Sequence, residues 1–228
     1  MTARRNEARR PRGKAKNPQG ILLGNFLKNL PFRLTAAQLR SVEAIRSDMA
    51  KPHRMHRLLQ GDVGSGKTVV AASAMLLAIE SGHRAVLMAP TQILAEQHFR
   101  NFSAWLAPLG ISVDLLTGAR KGGKRSLLAE KGNASAIIGT HALLHDAEAM
   151  VEAGLVVIDE QHKFGVLQRT RLASSASAPD VLVMTATPIP RTLALTIYGD
   201  LDLSILDERP PGRGRLRTAA RTIAKLPE

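Results

Sequence analysis

A chain of 228 residues with no cysteine excludes a disulfide-held fold and a thiolate metal centre, and makes a reducing, cytoplasmic setting the expectation. No apolar run approaches the roughly 18–20 residues that cross a bilayer, so no membrane association is expected. A hydrophobic fraction of 44% supports a sizeable core, while the net charge of +13 points to a polyanionic partner, nucleic acid before an anionic lipid surface.

The charge is uneven. Residues 1–20 hold seven Arg and Lys against Glu7 alone and carry +6 of the +13. Without apolar periodicity, this stretch is expected to be a disordered basic tail. Apolar residues at 22, 23, 26, 27 and 30 then follow a helical spacing that stops before Pro31, a linker helix over 21–31. Thr35 suits the N-cap of a helix running to about Met49. Residues 55–60 read as a buried strand. It feeds Gly61-Asp62-Val63-Gly64-Ser65-Gly66-Lys67-Thr68, which fits the G-x-x-x-x-G-K-[ST] spacing of a phosphate-binding loop. The chemistry follows from the backbone. Gly61, Gly64 and Gly66, with Ser65 between the last two, let bare N–H groups approach a polyphosphate. The helix from Val69 adds the positive end of its dipole, Lys67 reaches the β/γ-phosphates, and the Thr68 hydroxyl can ligate Mg²⁺.

Further on, strands are expected at 84–89, 111–115, 134–139, 155–159 and 181–185. Helices are expected at 92–106 and 126–131, with a basic turn at 120–125. Alternating strands and helices with continuously apolar strands predict an α/β domain over 32–207, a mostly parallel sheet with helices on both faces. Ligands in such folds sit at the carboxyl ends of the strands, where Gly61, Pro90, Gly139, Asp159 and Thr185 fall.

Leu155-Val156-Val157-Ile158-Asp159-Glu160 ends a buried strand in two acids, 92 residues after Lys67. A phosphate-loop ATPase presents Asp to Mg²⁺ in this way, and Glu160 is placed to polarise the attacking water. Thr185-Ala186-Thr187-Pro188 either bonds those carboxylates or forms an ordinary Thr/Pro turn. Ala89-Pro90-Thr91 and Ile138-Gly139-Thr140-His141 either offer N–H groups to nucleic-acid phosphates or cap helices. With five Phe, Trp105 and Tyr198 as its aromatics, the chain is expected to grip nucleic acid through phosphates, independently of sequence.

These stretches together resemble the RecG family of branch-migrating DNA helicases in superfamily 2. The resemblance covers about 27–218. It is carried by Pro31-Phe32-Arg33-Leu34-Thr35-Ala36-Ala37-Gln38, the phosphate loop, Ala89-Pro90-Thr91-Gln92-Ile93-Leu94-Ala95-Glu96-Gln97-His98 and Gly139-Thr140-His141-Ala142-Leu143. Asp159-Glu160-Gln161-His162-Lys163-Phe164-Gly165-Val166, Thr185-Ala186-Thr187-Pro188-Ile189-Pro190-Arg191-Thr192, Tyr198-Gly199-Asp200-Leu201-Asp202 and Pro210-Pro211-Gly212-Arg213 complete it. Gln92 and Lys163 stand where the family leads one to expect Glu and Arg.

The resemblance implies a RecA-like ATP-binding lobe with Lys67, Asp159 and Glu160 catalytic and Mg²⁺ held by Thr68 and Asp159. Phe32 and Gln38 would read adenine, and Thr91, Gly118, Thr140 and His141 would track duplex or branched DNA. Gln161, His162, Thr185 and Thr187 would couple ATP state to lobe movement. It further implies a second motor lobe supplied elsewhere, with 208–228 a truncated linker towards it, and weak hydrolysis by this lobe alone. The competing expectation is a non-catalytic DNA-binding fragment. A phosphate-loop kinase or transporter would leave Asp-Glu-Gln-His and the Thr-Ala-Thr turn unexplained.

Overall fold

The structure, a computed structural model, describes residues 16, 18–117, 135–140, 142–143, 150, 153–159, 179–187, 201–208 and 210. Among the described residues, seven strands form one sheet in which every pairing is parallel: β1 (His56–Gly61), β2 (Arg84–Met88), β3 (Val113–Leu116), β4 (Ala136–Gly139), β5 (Ala153–Asp159), β6 (Asp180–Thr185) and β7 (Asp202–Leu206). Their spatial order is β3-β4-β2-β5-β6-β1-β7. Successive side chains alternate between the two faces. Leu59, Ala85, Leu87, Leu155, Val157, Leu182 and Met184 enter the larger core. Leu58, Val86, Met88, Val156, Ile158, Val181 and Val183 form a second buried cluster on the other face, with Leu143. This double burial explains why the strand sequences read as unbroken apolar runs.

Four α-helices are described: α1 (Ile21–Asn29), α2 (Ala36–Ala50), α3 (Lys67–Glu80) and α4 (Gln92–Leu106). All contribute to the larger core. α3 is the deepest, with every residue from Val69 to Ala78 buried. Ala71, Ala72, Ser73 and Ala74 are small enough to bring its axis close to the sheet, and the one hydroxyl among them bonds back to Val69 O at 2.9 Å. A helix apolar on all sides belongs in an interior.

α1 packs Phe26 edge-on against Trp105 of α4, ring centroids 6.2 Å apart. Its N-terminus is held by Glu80, the last residue of α3. The Glu80 carboxylate accepts from the N–H groups of Gly20 (2.7 Å), Ile21 (2.7 Å) and Leu22 (3.1 Å). These are donors that a helix end leaves without internal partners.

Two expectations change. The basic stretch was expected to be disordered as far as Gly20, yet Lys16 and Pro18 are buried. Lys16 donates to Asp180 Oδ2 at 2.7 Å and to Gly154 O, and its backbone N–H bonds Met49 O at 3.2 Å. The cause is Asp180, a fully buried carboxylate at the amino end of β6, which needs a cation beside it. The rest of the basic leader, 1–15 and 17, lies outside the described residues. The second change is β7, which forms the sheet edge beside β1. No strand is expected there because Asp202-Leu203-Ser204-Ile205-Leu206 mixes polar and apolar residues, as an edge exposed on one side does. The basic turn and short helix expected over 120–131 lie outside the described residues.

Candidate nucleotide site

The carboxyl ends of three neighbouring strands build the site. Gln60 at the end of β1 pairs with Thr185 of β6, and Met184 pairs with Asp159 of β5. At the usual strand spacing, the phosphate loop and Asp159 are therefore about 10 Å apart across the intervening β6. Three stretches, the loop lying 92 residues before Asp159 and Thr185 a further 26 after it, share one rim.

The loop has the expected backbone. Gly64 (φ 78°) and Gly66 (φ 85°) are left-handed, and Gly66 is the N-cap of α3. A Cβ on Gly66 would lie 2.1 Å from Gln38 Nε2, and one on Gly61 would lie 2.5 Å from Ser65 Oγ. Glycine is therefore required twice, for conformation at 66 and for space at both. Lys67 turns its ammonium into the loop, donating to Gly61 O at 2.6 Å and Asp62 O at 2.9 Å. Ser65 Oγ is buried and has no hydrogen-bond partner among the described residues.

A phosphate fits these groups: an ammonium inside a ring of backbone, a helix N-terminus behind it, and an orphaned buried hydroxyl. The donor set also fits Mg²⁺, since Thr68 lies in the first turn of α3 and Asp159 ends β5. Among the described residues no three His or acidic side chains cluster into a complete metal cage. Mg²⁺ is ordinarily held by one or two carboxylates together with substrate phosphates and water, so a sparse protein set is the fitting one.

Gln38 is 3% exposed and closes a capping box with Thr35. Its Oε1 accepts from Thr35 N (2.8 Å) while Nε2 donates to Ser65 O (2.7 Å). The partners identify each amide atom, because a backbone N–H only donates and a carbonyl only accepts. Gln38, expected to read adenine, is thus also a brace between α2 and the phosphate loop. Phe32 is 45% exposed ahead of α2. Glu208, beyond β7, sits at the start of the same helix. The Ala37 N–H bonds its carboxylate, and with the Thr35 hydroxyl and the Arg40 guanidinium holds it below the usual glutamate range. Arg40 Nη2 lies 3.3 Å from Glu208 Oε1.

Thr185 is buried and Thr187 exposed; they close their own turn, with hydroxyls 2.9 Å apart and Thr187 N donating to Thr185 Oγ1 at 3.2 Å. Thr91 caps α4, accepting from Leu94 N at 3.3 Å, and its side chain is exposed. Thr140 follows β4, which pairs with β2, and Ala89 N bonds Gly139 O at 2.8 Å to tie the two segments together. Thr91 and Thr140 therefore follow the ends of neighbouring strands, separated from the phosphate loop by β5 and β6. Gly118, His141, Glu160, Gln161 and His162 lie outside the described residues.

One contact was not anticipated from sequence. His98, in α4, puts Nε2 2.7 Å from Asp159 Oδ2. Its position carries a signal in retrospect: Ala95, His98, Phe102 and Leu106 form the buried stripe of α4, so His98 is the polar member of a core-facing row and needs a partner there.

The family model for DEAD/DEAH box helicases matches residues 35–196. The ATP-dependent DNA helicase RecG of Synechocystis sp. is 51% identical over 214 residues, covering 92% of this chain and 26% of that protein. The same-named protein of Escherichia coli is 48% identical over 227 residues, covering 96% and 33%. Among solved structures, RecG bound to a three-way DNA junction superposes with a TM-score of 0.75 at 43% identity, covering 94% of this chain and 28% of that one. The UvsW helicase of bacteriophage T4, at 15% identity over 83% of this chain and 69% of that one, shares the fold with a TM-score of 0.57. The chain thus spans between a quarter and a third of these curated RecG relatives. The phosphate loop, Asp159 and the Thr185–Thr187 turn all fall inside the matched span, and the chain belongs to the DEAD/DEAH box helicase family.

Proposed function

We propose that this chain is the first motor lobe of a RecG-type helicase, binding ATP with Mg²⁺ at the Gly61–Thr68 loop and remodelling branched or duplex DNA with a second lobe. The observation that carries the reading is the single rim on which β1, β6 and β5 present the loop, Thr185 and Asp159. The loop N–H groups and Lys67 bind the triphosphate and offset its charge. Thr68 and Asp159 would hold Mg²⁺, which would neutralise charge on the polyphosphate. Glu160 accepts the proton of the attacking water. Phe32 stacks on the base and Gln38 faces it, while Thr91, Gly118, Thr140 and His141 lie along the DNA backbone. Gln161, His162, Thr185 and Thr187 carry the nucleotide state to the neighbouring lobe, which provides the arginine for the transition state.

The test compares the wild-type chain with Lys67→Ala. Losing a charge-assisted contact of about 1.5–3 kcal/mol should weaken a fluorescent ATP analogue roughly ten- to a hundredfold. Hydrolysis by the 228-residue chain alone should be slow, because an arginine finger contributes roughly 10³–10⁵ in rate in other phosphate-loop enzymes. Equal nucleotide binding by K67A would overturn the site. Brisk DNA-stimulated turnover by the chain alone would overturn the need for a second lobe. DNA binding that ignores both ATP and K67A would mark a passive DNA-binding piece.

A further inference from the structure

The imidazole of His98 reaches from α4 to the acid at the end of β5. α4 starts at Thr91 on the rim beside β4 and runs back along the sheet, and two turns in it meets the end of β5. His98 Nε2 and Asp159 Oδ2 are 2.7 Å apart, with both side chains largely buried (10% and 14% exposed). An ionised carboxylate only accepts, so Nε2 carries the proton. Nδ1 is buried with no partner among the described residues, which leaves the ring a single anchor, Asp159. The ring is kept from tipping by Phe102, one turn further on, whose plane meets it at 84° with centroids 6.3 Å apart. Asp159 Oδ2 is thereby engaged, and Oδ1 is the oxygen left for a cation.

We propose that His98 is a positioning residue for magnesium: by holding Oδ2 it fixes the rotamer of Asp159 and presents Oδ1 to the Mg²⁺ of bound ATP. This rests on the ATP–Mg²⁺ reading above. Outer-shell groups that orient a ligating carboxylate or imidazole contribute about ten- to a hundredfold in metal affinity where they have been removed. A histidine that merely satisfied a buried position would contribute to folding and leave the response to the cation alone.

The experiment titrates Mg²⁺ against binding of a fluorescent, non-hydrolysable ATP analogue to the whole 228-residue chain, with an EDTA arm and thermal unfolding without nucleotide. His98→Phe keeps the volume and the packing on Phe102 but removes the donor. It should raise the Mg²⁺ concentration for half-maximal binding about tenfold or more, while affinity in EDTA stays within twofold. His98→Gln, whose amide nitrogen donates at a similar reach, should return the Mg²⁺ response to near wild type. Should H98F not fold, His98→Asn takes its place. Its amide is one carbon too short to reach Asp159, and it should lose the Mg²⁺ response that H98Q keeps. An H98F or H98N titration matching wild type overturns the inference, as does a loss of affinity equal in EDTA and Mg²⁺. A wild-type chain that ignores Mg²⁺ overturns the ATP–Mg²⁺ site itself, and this inference with it. A wild type that responds, with variants that respond identically, overturns this inference alone.

Discussion

At Gln38 the two ends of one amide face two different elements, and the consequence can be separated by mutation. Thr35→Ala and Gln38→Ala both open the capping box and should each cost about 1 kcal/mol of stability. The alanine at 38 alone also releases Ser65 O and uncovers the flank of Gly66. Nucleotide affinity should therefore fall several-fold in Q38A and hold in T35A, as read by equilibrium binding of a fluorescent nucleotide. Equal binding by the two would show that the brace plays no part in shaping the loop. Residues of this kind mark the limit of sequence reading. The backbone of the Gly61–Thr68 turn is legible because its glycine spacing and the helix that follows stand next to each other in the sequence. The brace at Gln38 and the contact from His98 are side-chain meetings between positions 27 and 61 residues apart, which no local pattern encodes.

Among elements, β7 and α2 are joined through Glu208, and this join depends on pH. Its carboxylate titrates below the usual glutamate value because the Ala37 N–H, the Thr35 hydroxyl and Arg40 all favour the ionised form. A carboxyl whose folded pKa is depressed stabilises the fold above its unfolded pKa and loses that contribution as pH falls through the folded value. Glu208→Gln should therefore melt below wild type at pH 7, and the gap should narrow as pH drops from about 5 towards 3, followed by thermal unfolding across that range. A gap constant with pH would show that the carboxylate is not what joins the two elements. The expected strands at 155–159 and 181–185 and the helix at 92–106 appear within a residue or two, because each is apolar enough to be buried wherever it goes. β7 was not legible: an edge strand with one wet face has no apolar run, and what holds it is its parallel register with β1, Leu58 against Leu203 and Gly61 against Leu206.

For the molecule as a whole, the buried pair at the amino ends of the strands ties the segment before α1 to the sheet. Asp180 is fully buried and accepts from Met55 N at 2.6 Å as well as from Lys16. Removing it leaves the Lys16 ammonium buried without its counter-charge, a loss of about 3–5 kcal/mol. Asp180→Ala should therefore lower the melting temperature by roughly 10 °C, and by more than Lys16→Ala, because it also strips Met55 N of its acceptor. A calorimetric scan ranking the two in the opposite order would show the pair to be incidental. The alternation of strand and helix made the architecture readable, since continuous apolar strands have few places to go but a sheet covered on both sides. The place of Lys16 was not readable, because its partner lies 164 positions away in a stretch that looks like any other strand. At the opposite end of α3 from the phosphates, Glu80 grips the first turn of α1. Fourteen residues of helix, ten of them buried, amount to a rod of about 21 Å. A shift of 1 Å imposed on α1 would swing such a rod by only about 3°, yet its pivot is the Gly61–Thr68 turn. Mechanical load on the segment ahead of α1 thus has a stiff lever into the glycine-rich turn at the other end of α3.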